Sequence, residues 1–249
     1  MPVVSASKYL VQAGWDDVPH LDAKTKAELL AATPPHLRDA RSKGLPSLGA
    51  GAIYPIEESF IKVDPFPIPA HWPRCYGLDV GWNRTAAPWL AWDRDQDVAY
   101  IYAEHYRGQA EPSIHASAIK ARGEWIPGVI DPAAHGRSQK DGEQLIASYT
   151  SLGLNIVAAN NSVEAGILEV WERLSTGRLK VFATCVSWLA EYRLYRRDER
   201  GHIVKKNDHL MDGTRYAVVS GLKRAIVRPI QRIGQQEGVR TVADRIGGY

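Results

Sequence analysis

Residues 74–82 read RCYGLDVGW, and how this stretch is read decides the fold. Apolar residues surround one carboxylate, Asp79, which has a glycine two places to either side. Side chains alternate across a strand, so a strand here puts Gly77, Asp79 and Gly81 on one face and Tyr76, Leu78, Val80 and Trp82 on the other. A buried ionised carboxylate is costly unless it is paired or binds a cation, and flanking glycines leave room for a large ligand near the backbone. Asp79 is therefore expected to be a metal ligand beneath a polyanionic substrate. The simpler role is a strand-end Asp capping the turn at residues 83–85.

Downstream of this stretch the pattern is regular. Residues 88–93 (PWLAWD) and 98–106 (VAYIYAEHY) are aromatic and β-branched strands separated by a turn at 94–97, which predicts a three-stranded antiparallel meander. Alternation follows: helix 112–122, strand 128–131, helix 141–152 ended by Gly153, strand 155–159, helix 163–174, strand 179–183 and helix 186–196. A meander followed by alternating helix and strand implies an α/β fold, a mixed sheet with helices on both faces.

Upstream, residues 21–32 (LDAKTKAELLAA) predict a helix stopped by Thr33, Pro34 and Pro35, and 36–43 predict a second short one. The glycine-rich 43–53 (KGLPSLGAGAI) is not a nucleotide loop, because no GK[ST] opens a helix there, so no bound nucleotide is expected. A flexible connector is the better account, and the proline-dense 63–73 is extended.

The chain has 249 residues and is 45% hydrophobic, enough for a sizeable core. It shows neither a long apolar run nor a signal-peptide pattern, so a cytosolic location and no membrane are expected. Cys75 and Cys185 lie far from any metal-binding or disulfide spacing. The net charge of +3 permits contact with nucleic acid without arguing for it. Trp89, Trp92 and Trp171 are expected in the core.

Three acids stand at the ends of elements. Asp79 ends the first strand of the meander, and Asp131 ends the strand that leaves the sheet into DPAAHGRS. Residues 207–216 (NDHLMDGTRY) open the last long helix, on which Asp208 and His209 are four and three residues before Asp212 and share one surface with it. Asp208 has an N-cap as its alternative role, whereas Asp212 lies too far inside to cap. Carboxylates converging from separate elements suit two divalent hard cations about 4 Å apart, one activating a water and the other stabilising the leaving oxygen of a phosphodiester.

In this order and spacing, GLDVGW, IYAEHY, VIDPAAHG and NDHLMDGTRY resemble the C-terminal nuclease domain of the large terminase subunit of tailed bacteriophages, in the ribonuclease H-like superfamily. The resemblance extends over roughly residues 14–222, and 14–56 look like the tail of the terminase ATPase domain and its linker. It implies an endonuclease using two Mg²⁺ or Mn²⁺ ions to cut concatemeric double-stranded viral DNA in the host cytoplasm. Portal protein and a small terminase subunit would be its partners. Asp79 and Asp131 match the first two family acids and Asp212 the third, with His209 a ligand in some relatives and Asp208 a candidate fourth. The phosphate loop and acidic strand of the terminase ATPase are missing, so no ATP hydrolysis is expected, and the chain reads as a nuclease fragment or a split gene. The expected organisation is a linker and ATPase remnant at 1–70, a ribonuclease H-like domain at 71–222 and a basic flexible tail at 223–249.

Other residues have two readings each. Glu104 is either a further site carboxylate or an outward-facing strand residue. His135, Arg137 and Lys140, just past Asp131, either contact the scissile phosphate or belong to a solvated loop. The run 192–206 (YRLYRRDERGHIVKK) predicts a basic hairpin whose Arg193, Arg196, Arg197, Lys205 and Lys206 follow DNA phosphates while tyrosines stack on bases. Two other functions stay open: a noncatalytic module docking on DNA or portal, and a ribonuclease H-like nuclease of the resolvase or transposase type.

Overall fold

The alternation read from residues 74–82 becomes the central strand of a mixed sheet. The computed structural model describes residues 4–5, 8–9, 13–32, 42, 51–131 and 139–229, with the side chains of 139–144 left out. Strands β1 (Lys62–Val63), β2 (Arg74–Leu78), β3 (Thr85–Asp93), β4 (Val98–Arg107), β5 (Gly128–Ile130), β6 (Ile156–Ala158) and β7 (Leu179–Phe182) form a seven-stranded sheet, ordered β1-β7-β4-β3-β2-β5-β6. The predicted meander is present: β2, β3 and β4 pair antiparallel, and every other pairing is parallel. Its β3–β4 turn is held by Asp93 Oδ1, which accepts the amides of Asp95 and Gln96 at 3.1 and 3.3 Å.

The helices are α1 (Ala23–Ala32), α2 (Glu58–Ile61), α3 (Pro112–Lys120), α4 (Gln139–Ser151), α5 (Val163–Ser175), α6 (Val186–Leu194) and α7 (His209–Tyr216). The last continues through a π turn at Ala217–Gly221 into a 3-10 turn at Leu222–Arg224. They cover both faces, as the strand alternation requires. Tyr76, Leu78, Trp89 and Ile130 pack with Ala116 and Ile119 of α3 and Tyr149 of α4. Cys75, Leu90, Ile101 and Val181 pack on the opposite face with Val170 of α5, Trp188 of α6 and Leu210 of α7. Each such side chain, fully buried, contributes about 1.5–3 kcal/mol relative to exposure.

Three expectations need correction. The boundary at residue 70 divides one packed unit: Ile53, Tyr54 and Ile61 are buried in the core and β1 pairs with β7. Tyr192 also donates its hydroxyl to the carbonyls of Tyr54 and Ile56, at 3.2 and 2.8 Å. Apolar residues beyond the proline-rich stretch had core positions to fill, so the segment is not a bare linker. At the other end Ala225 is buried, and Arg74 donates its amide to Ile226 at 2.8 Å, so the chain holds to the sheet past residue 222. Trp171 is half exposed on α5, and the core instead takes Trp188, which was not singled out.

The second short helix expected at 36–43 lies, apart from residue 42, outside the described residues, as does the tail from 230. Both cysteines are free and buried, and burial pushes each thiol up to about 12, far from reactive. Among the described residues no helix is long and apolar enough to cross a membrane.

Candidate functional site

Register brings the first two acids together. Leu78 of β2 pairs with Ile130 of β5 in parallel, so the next residues, Asp79 and Asp131, leave the sheet side by side at the strand ends. The Asp131 amide donates to the Leu78 carbonyl at 3.0 Å, and Asp79 exchanges two backbone hydrogen bonds of 2.9 Å with Ala86 of β3. Both acids lie in the alternation facing α7: Cys75 and Val129, in step with them, pack toward Gly221 in the turn that follows α7.

Helix α7 supplies the third acid because two glycines let it press onto the sheet. A Cβ on Gly77 would collide with the Gly213 carbonyl oxygen, and one on Gly213 would come within 2.8 Å of Pro88 Cδ. The glycine beside Asp79, expected to make room for a ligand, instead makes room for the helix backbone next to Asp212. The acids form one electrostatic group as a result. Asp79 is 9% exposed, and burial first, then the negative charges of Asp212 and Asp131, raises its carboxyl to about 6 against the opposing hydrogen bond from His209. Tyr216, also buried, faces all three: after burial, the charges of Asp212, Asp131 and Asp79 drive its phenol upward.

Each acid has its own protein partners. His209 Nδ1 lies 2.8 Å from Asp79 Oδ2, and this bond, opposed by burial, raises the imidazole. Asp212 Oδ1 accepts Arg215 Nη2 at 3.1 Å, while Lys205 Nζ donates to Asp212 Oδ2 at 2.9 Å and stands 3.2 Å from Asp208 Oδ2. Gly166 of α5 gives Arg215 its path, since a Cβ there would lie 2.7 Å from Arg215 Cγ.

Asp208 is the residue before α7 but makes no capping bond with its side chain. The cap comes from Glu191 of α6, whose buried carboxylate accepts the Leu210 amide at 2.6 Å and the Tyr106 hydroxyl at 2.7 Å. Burial, the largest influence on it, raises Glu191. Asp208 Oδ2 is itself buried and lacks a hydrogen-bond donor. The Lys205 ammonium, 3.2 Å away, compensates its charge in a residue 5% exposed.

Carboxylates at the ends of β2 and β5 and on α7, with Asp208 just before that helix, fit hard divalent ions in donor chemistry. Among the described residues no three His, Cys, Asp or Glu side chains are drawn to ligating distance of one point, and Lys205 stands between two of the acids.

The remaining expected residues divide. Glu104 is not gathered into this group, because its two oxygens accept the amides of Ser187 and Trp188 at 2.9 and 2.8 Å and so cap α6. His135 and Arg137 lie outside the described residues, and of Lys140 only the helical backbone of α4 is described. The hairpin forms, closed by Val204 N donating to Arg196 O at 3.0 Å and Asp198 N to His202 O at 2.8 Å. Three of its cations turn to protein acids: Arg193 to Glu58, Arg197 to Glu164 and Lys205 to Asp208 and Asp212. Arg196 and Lys206 are exposed, and neither forms an ion pair among the described residues.

The sequence reading missed Glu191, Arg215 and Tyr216. Arg215 alone had a local signal, three residues after Asp212 on one helix.

The mixed seven-stranded sheet with helices is that of ribonuclease H-like nuclease domains, and the model of the terminase ribonuclease H-like domain family matches residues 76–220. The chain belongs to this family. It is 36% identical over 229 residues to the large terminase subunit of Enterobacteria phage LP7, covering 88% of this chain and 48% of that protein. To the large terminase subunit of Salmonella phage P22 it is 35% identical over 237 residues, covering 92% and 47%. The chain thus spans about half the length of the curated relatives it matches. The solved P22 large terminase nuclease domain is similar with a TM-score of 0.67 at 36% identity, over 73% of this chain and 97% of that one. A large terminase nuclease from thermophilic phage G20c, solved with bound cobalt, shares the fold at a TM-score of 0.50 and 16% identity, over 70% and 99%.

Proposed function

We propose that this chain is a divalent-metal-dependent endodeoxyribonuclease of a viral genome-packaging terminase, cutting concatemeric double-stranded DNA by phosphodiester hydrolysis. The observation that carries the reading is the register of Leu78 with Ile130, together with the contact between Gly77 and Gly213 that seats Asp212 on the same side of the sheet. The cobalt bound by the G20c nuclease supports a divalent cofactor.

Asp79, Asp131 and Asp212 are the residues that would hold two Mg²⁺ or Mn²⁺ ions, with Asp208 assisting. When bound, such ions activate a water and stabilise the leaving oxygen of the phosphodiester. The protein's own groups do the rest. His209 fixes the Asp79 carboxylate through the 2.8 Å bond. Arg215 holds Asp212 from the buried side, and Glu191 pins the first turn of α7, which aims His209 and Asp212. Arg196 and Lys206, exposed on the hairpin and without an ion pair among the described residues, would meet DNA phosphates, and His135, Arg137 and Lys140 would act near the scissile phosphate. Portal protein, a small terminase subunit and the host cytoplasm complete the proposal, and the large subunits of LP7 and P22 support it.

The test is cleavage of supercoiled plasmid by the purified chain in Mn²⁺, with Asp79→Asn as control. Nicking that needs Mn²⁺ and disappears in the Asn variant is expected. Nicking that survives in Asp79→Asn overturns the assignment.

A further inference from the structure

Lys205 was expected on the DNA-facing side of the hairpin, but its ammonium turns inward to the acids. Its Nζ lies 2.9 Å from Asp212 Oδ2 and 3.2 Å from Asp208 Oδ2, bridging two carboxylates that are 8% and 5% exposed. With Arg215 on Asp212 Oδ1, both oxygens of Asp212 are engaged by protein cations. The two cations differ in exposure. Arg215 is nearly buried, its side chain 3% exposed, whereas Lys205 reaches the pair from solvent with its side chain 61% exposed. Lys205 meets the Asp208 oxygen at 3.2 Å but out of good hydrogen-bonding alignment, so the lysine compensates its charge without completing its bonding.

We propose that Lys205 is a built-in counter-cation of the Asp208–Asp212 pair, and that a divalent ion entering at these acids must displace its ammonium. This rests on the metal-site reading above and names how that site is loaded. A lysine ammonium is a compact charge on a flexible stem, suited to neutralising two acids in the metal-free protein and swinging away when a stronger cation arrives. Its place on the basic hairpin gives it somewhere to go, because a DNA phosphate at the site offers the displaced ammonium a new partner. The metal-free protein keeps Asp208 and Asp212 neutralised until a divalent ion arrives. Arg215 cannot take this role, because Gly166 and the α5 surface confine its stem.

Mn²⁺ binding measured by titration calorimetry on the DNA-free chain tests the proposal, with Lys205→Met and Lys205→Arg beside the parent and Asp79→Asn marking the site. Removing one positive charge from hydrogen-bonding distance of two carboxylates is expected to tighten Asp79-dependent Mn²⁺ binding about tenfold or more, the scale by which an adjacent opposite charge shifts carboxylate chemistry. Lys205→Arg keeps the charge and should bind no tighter than the parent.

The Mn²⁺-induced gain in thermal stability, rather than the melting point without metal, is the readout that a merely structural lysine would not move. Lys205→Met is expected to melt lower than the parent without metal and to gain more from Mn²⁺, because the ion relieves the repulsion of the two acids. That differential applies even if the Met variant folds only with Mn²⁺ present. Equal Mn²⁺ affinity and equal metal-induced gain in parent and Lys205→Met overturn the role of the lysine while leaving the nuclease reading intact. Absence of Asp79-dependent Mn²⁺ binding in every variant overturns the metal site itself, and the proposal with it.

Discussion

Asp79→Asn removes one charge from the floor of the site and changes almost nothing in shape. Burial raises the Asp79 carboxyl from 3.8 to about 6, so its ionised form is disfavoured by about 3 kcal/mol in the folded, metal-free protein. A folded value above the unfolded one means that the stability tied to this group is full below about 4 and is lost as pH rises through about 6. The Asn variant escapes that loss. Its stability relative to the parent should be close to zero at pH 3.5, climb between pH 4 and 6, and level off above. His209 loses its charged partner in the variant, which offsets a share of the gain, so the plateau is expected at about 1–3 kcal/mol, or roughly 3–10 °C in Tm for a domain of this size. Urea denaturation at a series of pH values, in chelator, measures the difference. Added Mn²⁺ should then stabilise the parent and leave the variant unchanged, reversing their order. A variant no more stable than its parent at pH 7.5, or a gain already complete at pH 3.5, would refute the argument that a buried, repelled carboxylate is held there for a cation.

Three further outcomes follow from other contacts. Gly77→Ala drives a methyl group into the Gly213 carbonyl, and a urea midpoint lowered by the equivalent of about 3 kcal/mol or more is expected, with Mn²⁺ binding impaired because α7 must shift. Glu191→Ala leaves the Leu210 amide and the Tyr106 hydroxyl without their acceptor and should cost about 1–3 kcal/mol in chemical denaturation. On the hairpin, Arg196→Ala with Lys206→Ala should weaken duplex binding and reduce the slope of log K against log salt by about 2, whereas Arg193→Ala, whose side chain is held by Glu58, should leave the slope unchanged.

Much of the fold could be read along the chain because its signals are local. The strand alternation around Asp79, the turn at 94–97 and the glycine-ended helices depend on residues a few places apart, and the meander formed with both faces covered as that alternation demanded. The boundary at residue 70 failed for the opposite reason. Ile53, Tyr54 and Ile61 look like isolated apolar residues among prolines and glycines, and only the open edge of β7 and the ring of Tyr192 give them a place in the core.

The candidate site divides along the same line. That Asp79 and Asp131 end strands and Asp212 sits inside a helix was determined by sequence alone, since hydrophobic periodicity fixes where an element stops and which face a residue takes. Which charge answers which acid was decided only in three dimensions. Glu104 went to cap α6, Glu191 took the cap of α7 that Asp208 had been a candidate for, and Lys205 left the DNA face for Asp208 and Asp212. Periodicity is blind to such choices, because a long charged side chain can reach in several directions and takes the partner that packing leaves beside it. Here that packing turns on two glycines, Gly77 and Gly213, far apart in the chain and in contact in the fold.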